Sequence, residues 1–246
     1  MELGGNTVLI TGGASGIGLA VAERFLEVGS EVIVCGRRLD KLREAQSQQP
    51  RLRTRVCDVA EAAGRVELFR WAVAEFPRLN VLVNNAGIQR RVSLTEAEAW
   101  EETHQEIAIN LEAPIHLCTL FVPHLRAQRN PTIVNVTSGL AFVPLARVPV
   151  YCATKAALRS FTLSLRHQLA STAVRVVEIV PPAVNTDLGG PGLHTFGAPV
   201  EEFAEAVMAR LRAGDLEIPY GFSAQASQAS REGLDALFTR MNQAPA

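Results

Sequence analysis

Six short runs rich in β-branched residues punctuate the chain: TVLIT (7–11), EVIVC (31–35), RTRVCDV (53–59), NVLVNN (80–85), TIVNVTS (132–138) and VRVVEIV (174–180). Helix-like segments separate them, and the runs are continuously apolar rather than alternating. A strand reads this way when helices cover both faces of a parallel sheet. The pattern predicts an α/β fold in three layers: a doubly wound, mostly parallel sheet between two helical layers. LEIPYG (216–221) supplies a seventh strand and REGLDALFTRMN a closing helix. The first helix, GIGLAVAERFLEVGS, stops at Gly29, where glycine accepts a left-handed C-terminal cap. No linker or repeat divides the chain, so residues 1–246 are expected to form a single domain. The loop-rich stretch NTDLGGPGLHTFGAPVEEF (185–203) follows the sixth strand and is the expected lid over a ligand, since ligands bind beyond the carboxyl ends of such strands.

Charge and cysteine usage narrow the partners. A net charge of -1 offers no basic stripe for nucleic acid and no polybasic anchor for membranes, so a small molecule or a second copy of the chain is the expected partner. The N-terminal MELGGNTVLITGG lacks the pattern of a signal peptide, and no apolar run is long enough to span a bilayer, which predicts a cytoplasmic protein. Cys35, Cys57, Cys118 and Cys152 show no CxxC spacing and read as reduced, structural thiols. The five histidines lack HxxxH or HExxH spacing, so no metal site is expected.

Two motifs carry chemistry. TGGASGIG (11–18) joins the first strand to the first helix and puts Gly12, Gly16 and Gly18 where an anion would meet the helix N-terminus. Exposed N–H groups and the helix dipole favour a phosphate there, and glycine lets the backbone approach it. Further on, PVYCATKAAL (149–158) sets Tyr151 and Lys155 four apart, on one face of a helix, where they can share a site.

TGxxxGxG at 11–18, NNAG at 84–87, Asn110, Ser138, the YxxxK of Tyr151 to Lys155 and PxxVxT near 181–186 occur in the order found in the short-chain dehydrogenase/reductase family. The chain resembles that family over essentially its whole length. NNAGIQRR and PPAVNTDLGGPGLHTFG are further similar to its DltE-type subgroup. The resemblance implies a three-layer Rossmann fold, a homodimer or homotetramer paired through the long helices beginning near residues 95 and 151, and an oxidoreductase using a nicotinamide cofactor. It implies hydride transfer between nicotinamide and a carbonyl or alcohol substrate. Tyr151 would be general acid and base, with Lys155 on the nicotinamide ribose, Ser138 on the substrate oxygen and Asn110 supporting a water-mediated proton relay. Read alone, Ser138 also fits a capped strand end and Asn110 a helix kink. A nucleotide-binding redox sensor without turnover is the alternative, although such a sensor needs only the nucleotide site.

The cofactor-contacting residues implied are Gly12, Ser15, Gly16, Ile17, Gly18, Asn85, Ala86, Gly87, Tyr151, Lys155, Pro181, Val184 and Thr186. Asp58 and Val59 follow the third strand, where Asp58 would contact adenine or cap the next helix. At the end of the second strand, Gly36, Arg37 and Arg38 offer space and bidentate donors for a 2'-phosphate, which favours NADP(H) over NAD(H). The expected substrate walls are Ile88, Leu140, Ala141, Phe142, Val143, Leu193 and Phe196. Arg90 and Arg91 would bind an anionic substrate group or make a surface salt bridge or subunit contact. Pro182 stands where the family usually has glycine, so the loop either takes a different path or shifts its contact to Ala183 and Val184.

Overall fold

The computed structural model describes residues 1–95 and 100–243. The elements run β1 (Thr7–Thr11), α1 (Gly16–Glu27), β2 (Glu31–Gly36), α2 (Leu39–Gln48), β3 (Arg53–Val56), α3 (Ala62–Glu75), β4 (Val81–Asn84) and α4 (Trp100–Ile107). A π turn (Ala108–Glu112) leads into α5 (Ala113–Leu125), followed by β5 (Thr132–Val136), a 3₁₀ turn (Gly139–Ala141), α6 (Pro149–Gln168), β6 (Arg175–Val180) and α7 (Val200–Ala213). β7 (Glu217–Pro219), α8 (Phe222–Gln228) and α9 (Arg231–Gln243) close the described chain. All seven strands pair in parallel, in the order β3-β2-β1-β4-β5-β6-β7.

In the five inner strands alternate residues feed opposite cores, which is why those runs are mostly apolar, whereas β3, at the edge of the sheet, reads RTRV and has three of its four residues exposed. Val8 and Ile10 of β1 pack with Phe25 of α1, Leu42 of α2 and Phe203 of α7, while Leu9 packs with Leu68 of α3, Phe121 of α5 and Leu165 of α6. Each phenylalanine buried this way contributes roughly 1.5–3 kcal/mol. Gly29 takes φ +86°, and the Ser30 N–H donates to the Phe25 carbonyl at 2.9 Å, closing α1 as the sequence predicts.

Two expectations are corrected. The loop after β6 ends before Val200, because the last residues assigned to the lid begin α7 and bury Phe203 in the core. Its path doubles back on itself: the Asn185 N–H donates to the Ala198 carbonyl and the Ala198 N–H to the Ala183 carbonyl, each at 2.9 Å. The strands at 53–59 and 132–138 end earlier, at Val56 and Val136, which frees Asp58 and Ser138 for turns. The helix expected near 95 is described from Trp100; residues 96–99 lie outside the described residues.

Polar side chains fix α6 against the sheet. Asn84 donates to Asn135 at 2.8 Å, and Asn135 to Thr162 of α6 at 2.9 Å. Arg159 of α6 donates to the buried Glu178 carboxylate of β6 at 2.5 Å and lies 3.3 Å from Glu217 of β7. Thr137 donates to the other Glu178 oxygen at 2.7 Å. A buried carboxylate held from both sides keeps the helix in register with the strand ends.

Candidate active site

The sheet order reverses between β1 and β4, and the carboxyl ends of these strands bound a cleft of the kind that takes ligands in such folds. Thr11 Oγ1 at the end of β1 accepts the N–H groups of Asn85 and Ala86 at 3.1 and 3.0 Å. Asn85 Nδ2 returns bonds to the carbonyls of Thr11 and Gly12 at 2.9 and 3.1 Å. The two segments are so close that a Cβ on Gly12 would stand 2.8 Å from Ala86 Cα, and one on Gly18 would stand 2.6 Å from the Gly12 carbonyl and collide with Asn85. Gly12 also has φ +64°, so glycine is required twice over. Ser15 at the N-cap of α1 makes no side-chain cap bond, and the first turn holds no acid. Among the described residues no side chain caps the first N–H groups of α1, and the residues fit an anionic phosphate group.

Around this turn, Thr186 from the lid lies over Gly16, where a Cβ would come within 3.2 Å of its methyl group. Arg37 and Arg38 are exposed at the end of β2, beside open space at Gly36, and Arg38 Nη2 donates to Ser15 Oγ at 3.4 Å. Val59 is buried in the core, whereas Asp58 accepts the Ala60 N–H at 2.9 Å in a turn of its own. The Pro181 carbonyl accepts the Gly139 N–H at 2.9 Å, and Val184 is buried and bridged to Ala198, so the second proline leaves the strand end anchored.

Tyr151 and Lys155 are both buried on α6, with Lys155 Nζ 5.6 Å from the tyrosine ring centroid. Lys155 donates to the Val136 carbonyl at 2.8 Å. Burial pushes the Tyr151 phenol above its ordinary range, and the Ser138 hydroxyl within hydrogen-bonding reach pulls it back. Burial lowers the Lys155 ammonium to about 8, while the carboxylate of Glu106 holds it up. Ser138 also accepts the Leu140 N–H at 3.1 Å and so caps the turn that follows β5.

Asn110 sits in the π turn, fully buried. Its Nδ2 donates to the Ile88 carbonyl at 2.8 Å while its Oδ1 accepts the Ile88 N–H at 2.9 Å, so one side chain pins the segment after NNAG. Gly87 lies against it: a Cβ there would be 3.5 Å from Asn110 Oδ1 and 3.6 Å from Lys155 Nζ. Such π insertions often mark functional helices, and this one breaks the regular helix at Asn110, where the sequence alone suggested a kink.

The expected substrate walls divide. Leu140 packs beside Val148, Tyr151 and Cys152, together with Leu145 and Leu188, two residues the sequence did not point to. Phe142 and Val143 turn instead to Ala226 of α8 and Leu237 of α9, and the Arg159 guanidinium lies 4.2 Å over the Phe142 ring. Ile88 packs against the core beneath α5. Leu193 and Phe196 are exposed on the lid. Arg90 is drawn onto α4, donating to the Glu102 carbonyl at 2.7 Å and to Gln105 at 2.6 Å, with its guanidinium 3.9 Å from the Glu102 carboxylate; Arg91 is exposed.

One buried acid escaped the sequence reading. Glu106 lies on α4 a turn before Asn110, with no exposed surface. Burial raises its carboxyl to about 7, against the Arg90 N–H, the Arg90 charge and Lys155. The available signal was an acid in the otherwise apolar EIAIN run before Asn110.

A parallel doubly wound sheet, a glycine turn at its switch point and a buried tyrosine–lysine pair define a nicotinamide-dependent oxidoreductase of Rossmann type. The sequence profile described as short chain dehydrogenase matches residues 6–193. Oxidoreductase DltE of Bacillus subtilis is 48% identical over 98% of both chains. The 2,3-dihydro-2,3-dihydroxybenzoate dehydrogenase of Escherichia coli is 35% identical over 76% of this chain and 73% of its own. A short chain dehydrogenase of Burkholderia cenocepacia, solved in complex with NADP, superposes with TM-score 0.85 at 28% identity over the whole of both chains. The protein belongs to the short-chain dehydrogenase/reductase family, and within it to the DltE type.

Proposed function

We propose that the protein is an NADP(H)-dependent carbonyl reductase or alcohol dehydrogenase in which Tyr151 gives a proton to, or takes it from, the substrate oxygen. The observation that carries this is the buried Tyr151 phenol, with Ser138 within hydrogen-bonding reach and the Lys155 ammonium beside its ring. A protonated phenol in a dry site is a proton donor ready for a carbonyl oxygen, and a nearby ammonium stabilises the phenolate that the donation leaves. Ser138 can hold the same oxygen in place. Asn110 keeps the segment through Ile88 fixed against α4, so Gly87 stays close to Lys155 and the site keeps its shape.

The glycine turn and the α1 N-terminus would hold the cofactor diphosphate, Lys155 the nicotinamide ribose, and Arg37 with Arg38 a 2'-phosphate. When bound, the nicotinamide supplies or takes up the hydride. The NADP in the Burkholderia relative supports NADP(H) over NAD(H). Leu140, Leu145 and Leu188 beside Tyr151 support a substrate with an apolar body next to its reacting carbon. A cytoplasmic homodimer or homotetramer completes the reading: the four cysteines are free and buried, as suits a reducing compartment, and Trp100 and Leu163 expose apolar surface on the helices such oligomers pair through. Among the described residues, no helix is long and apolar enough to cross a membrane.

The test is a panel of aldehydes, ketones and alcohols with each cofactor, followed by nicotinamide absorbance. NADPH-linked reduction of apolar ketones is expected. Silence on the entire panel with both cofactors would sink the reading, and a preference for NADH would overturn its cofactor half.

A further inference from the structure

Glu106 is a puzzle in packing terms. A carboxyl group without exposed surface costs several kcal/mol unless its charge and lone pairs are met. Yet Oε1 receives only the Arg90 N–H, at a long 3.4 Å, and Oε2 has no hydrogen-bond partner among the described residues. The Arg90 guanidinium does not pair with it but goes to the Glu102 carbonyl and Gln105, with the Glu102 carboxylate 3.9 Å away. Anchoring the loop after β4 does not require an acid either, because Asn110 already pins Ile88 through both of its backbone groups. A leucine here would pack without that cost.

The groups around Glu106 suggest what it is for. From the loop after β4 it meets Arg90; α4 packs directly on α6, where Asn110, one turn after Glu106, donates to Thr154 at 3.3 Å, and this packing brings the carboxyl within electrostatic reach of Lys155, Tyr151 and Cys152. Two of these are the proposed acid–base pair. In a site from which water is excluded, one negative charge acts on such neighbours far more strongly than it would at the surface.

We propose that Glu106 is a positioning residue for the acid–base centre: its buried carboxylate acts across the α4–α6 contact to keep Lys155 charged and Tyr151 protonated, and so sets the alkaline edge of the reaction. The inference rests on the acid–base roles proposed for Tyr151 and Lys155. Its sign is the same at both groups. An anion favours the ammonium over the neutral amine and the phenol over the phenolate, so removing it lets both lose their protons at lower pH. The carboxyl at about 7 and the lysine at about 8 overlap around neutrality, where the pair exchanges charge most readily.

The first arm of the test compares wild type, Glu106→Gln and Glu106→Asp in ketone reduction across pH. In Glu106→Gln the alkaline limb of kcat/KM should move down by about one pH unit, and Glu106→Asp should restore most of it. A uniform fall in rate with the limb unmoved would overturn the proposal, because a packing role lowers activity without shifting the profile. The second arm needs neither turnover nor a folded Glu106 variant. Carbon-13 NMR follows the Glu106 carboxyl in cofactor-free protein, in wild type and in Lys155→Met. Because coupling between two titrating groups is reciprocal, loss of the lysine charge should raise the Glu106 midpoint above its wild-type value. An unchanged midpoint would overturn the coupling whatever the substrate panel shows. A shifted midpoint in a protein silent on that panel would sink the proposed activity and leave the coupling standing.

Discussion

The two ends of the cleft are built from different materials. At the α1 end the backbone does the work: Gly12 and Gly18 remove Cβ atoms so that the turn can press on Asn85 and Ala86, and the charges nearby, Arg37 and Arg38, are exposed. At the α6 end the side chains do it: Tyr151, Lys155, Ser138, Asn110 and Glu106 are all buried, and three of them have shifted proton affinities. Shape and water-screened charge suit a permanent polyanion, which needs no proton transfer. Dry, mutually coupled charges suit a group that must gain and lose a proton at each turnover. The first end should therefore respond to salt and hardly to pH, and the second to pH and hardly to salt.

The largest test of that division is Tyr151→Phe. The substitution removes one hydroxyl from a buried site and leaves the glycine turn untouched, so NADPH affinity should stay within a few-fold of wild type while kcat falls about 10³-fold, the middle of the range for loss of a general acid. Fluorescence titration with NADPH and steady-state kinetics read the two quantities separately. Comparable losses in both would mean that the two ends are not separable.

A smaller effect sharpens the pH half. Glu106 is raised in the fold from 4.5 to about 7, so the folded state binds its proton more tightly than the unfolded chain does. Its contribution to stability is complete below about pH 4.5 and is lost as pH rises through 7. Lys155 is lowered from 10.5 to about 8, so its burial costs stability below 8, and that cost is relieved as pH rises towards 10.5. Urea unfolding of wild type should lose about 2–3 kcal/mol between pH 4.5 and 7 through Glu106. Glu106→Gln should lack that loss and be the more stable protein at pH 7.5. Parallel curves for the two proteins would show that the carboxyl is not held in its neutral form by burial.

The same division explains what could be read from the sequence. Gly12, Gly16 and Gly18 announce themselves because only one residue type permits their geometry, and the inner strand runs because two-sided burial leaves few polar positions, such as the hydrogen-bonded Asn135 and Glu178. Tyr151 and Lys155 share a helix face by spacing alone. Glu106 left only the faint signal of an acid in an apolar run, and an acid one turn from Asn110 reads as a solvated helix face until tertiary packing buries it. Arg90 was left open between two readings, since nearness to the NNAG motif does not show its proximity to Glu102 and Gln105 in space. Phe142 follows Ser138 by four residues, yet it packs on α8 and α9, which contact that loop from far along the chain. In each case the missing information was which distant element sits against a residue, and local pattern does not carry it.

The smallest predicted effect bears on the other half of the comparison. Arg38 is exposed and its bond to Ser15 is long, so it is free to turn to a 2'-phosphate, and a solvent-exposed arginine–phosphate contact contributes on the order of 1–2 kcal/mol. Arg38→Asp should raise the NADPH dissociation constant about tenfold at low salt and improve NADH binding, because a carboxylate there repels the phosphate and accepts ribose hydroxyls. For wild type, NADPH affinity should weaken as salt rises from 50 to about 300 mM, while NADH affinity changes little. Tyr151→Phe should show the same salt dependence as wild type. If Arg38→Asp leaves the NADPH to NADH ratio unchanged, the exposed arginines are ordinary surface charge, and cofactor choice at this end must come from the backbone as well.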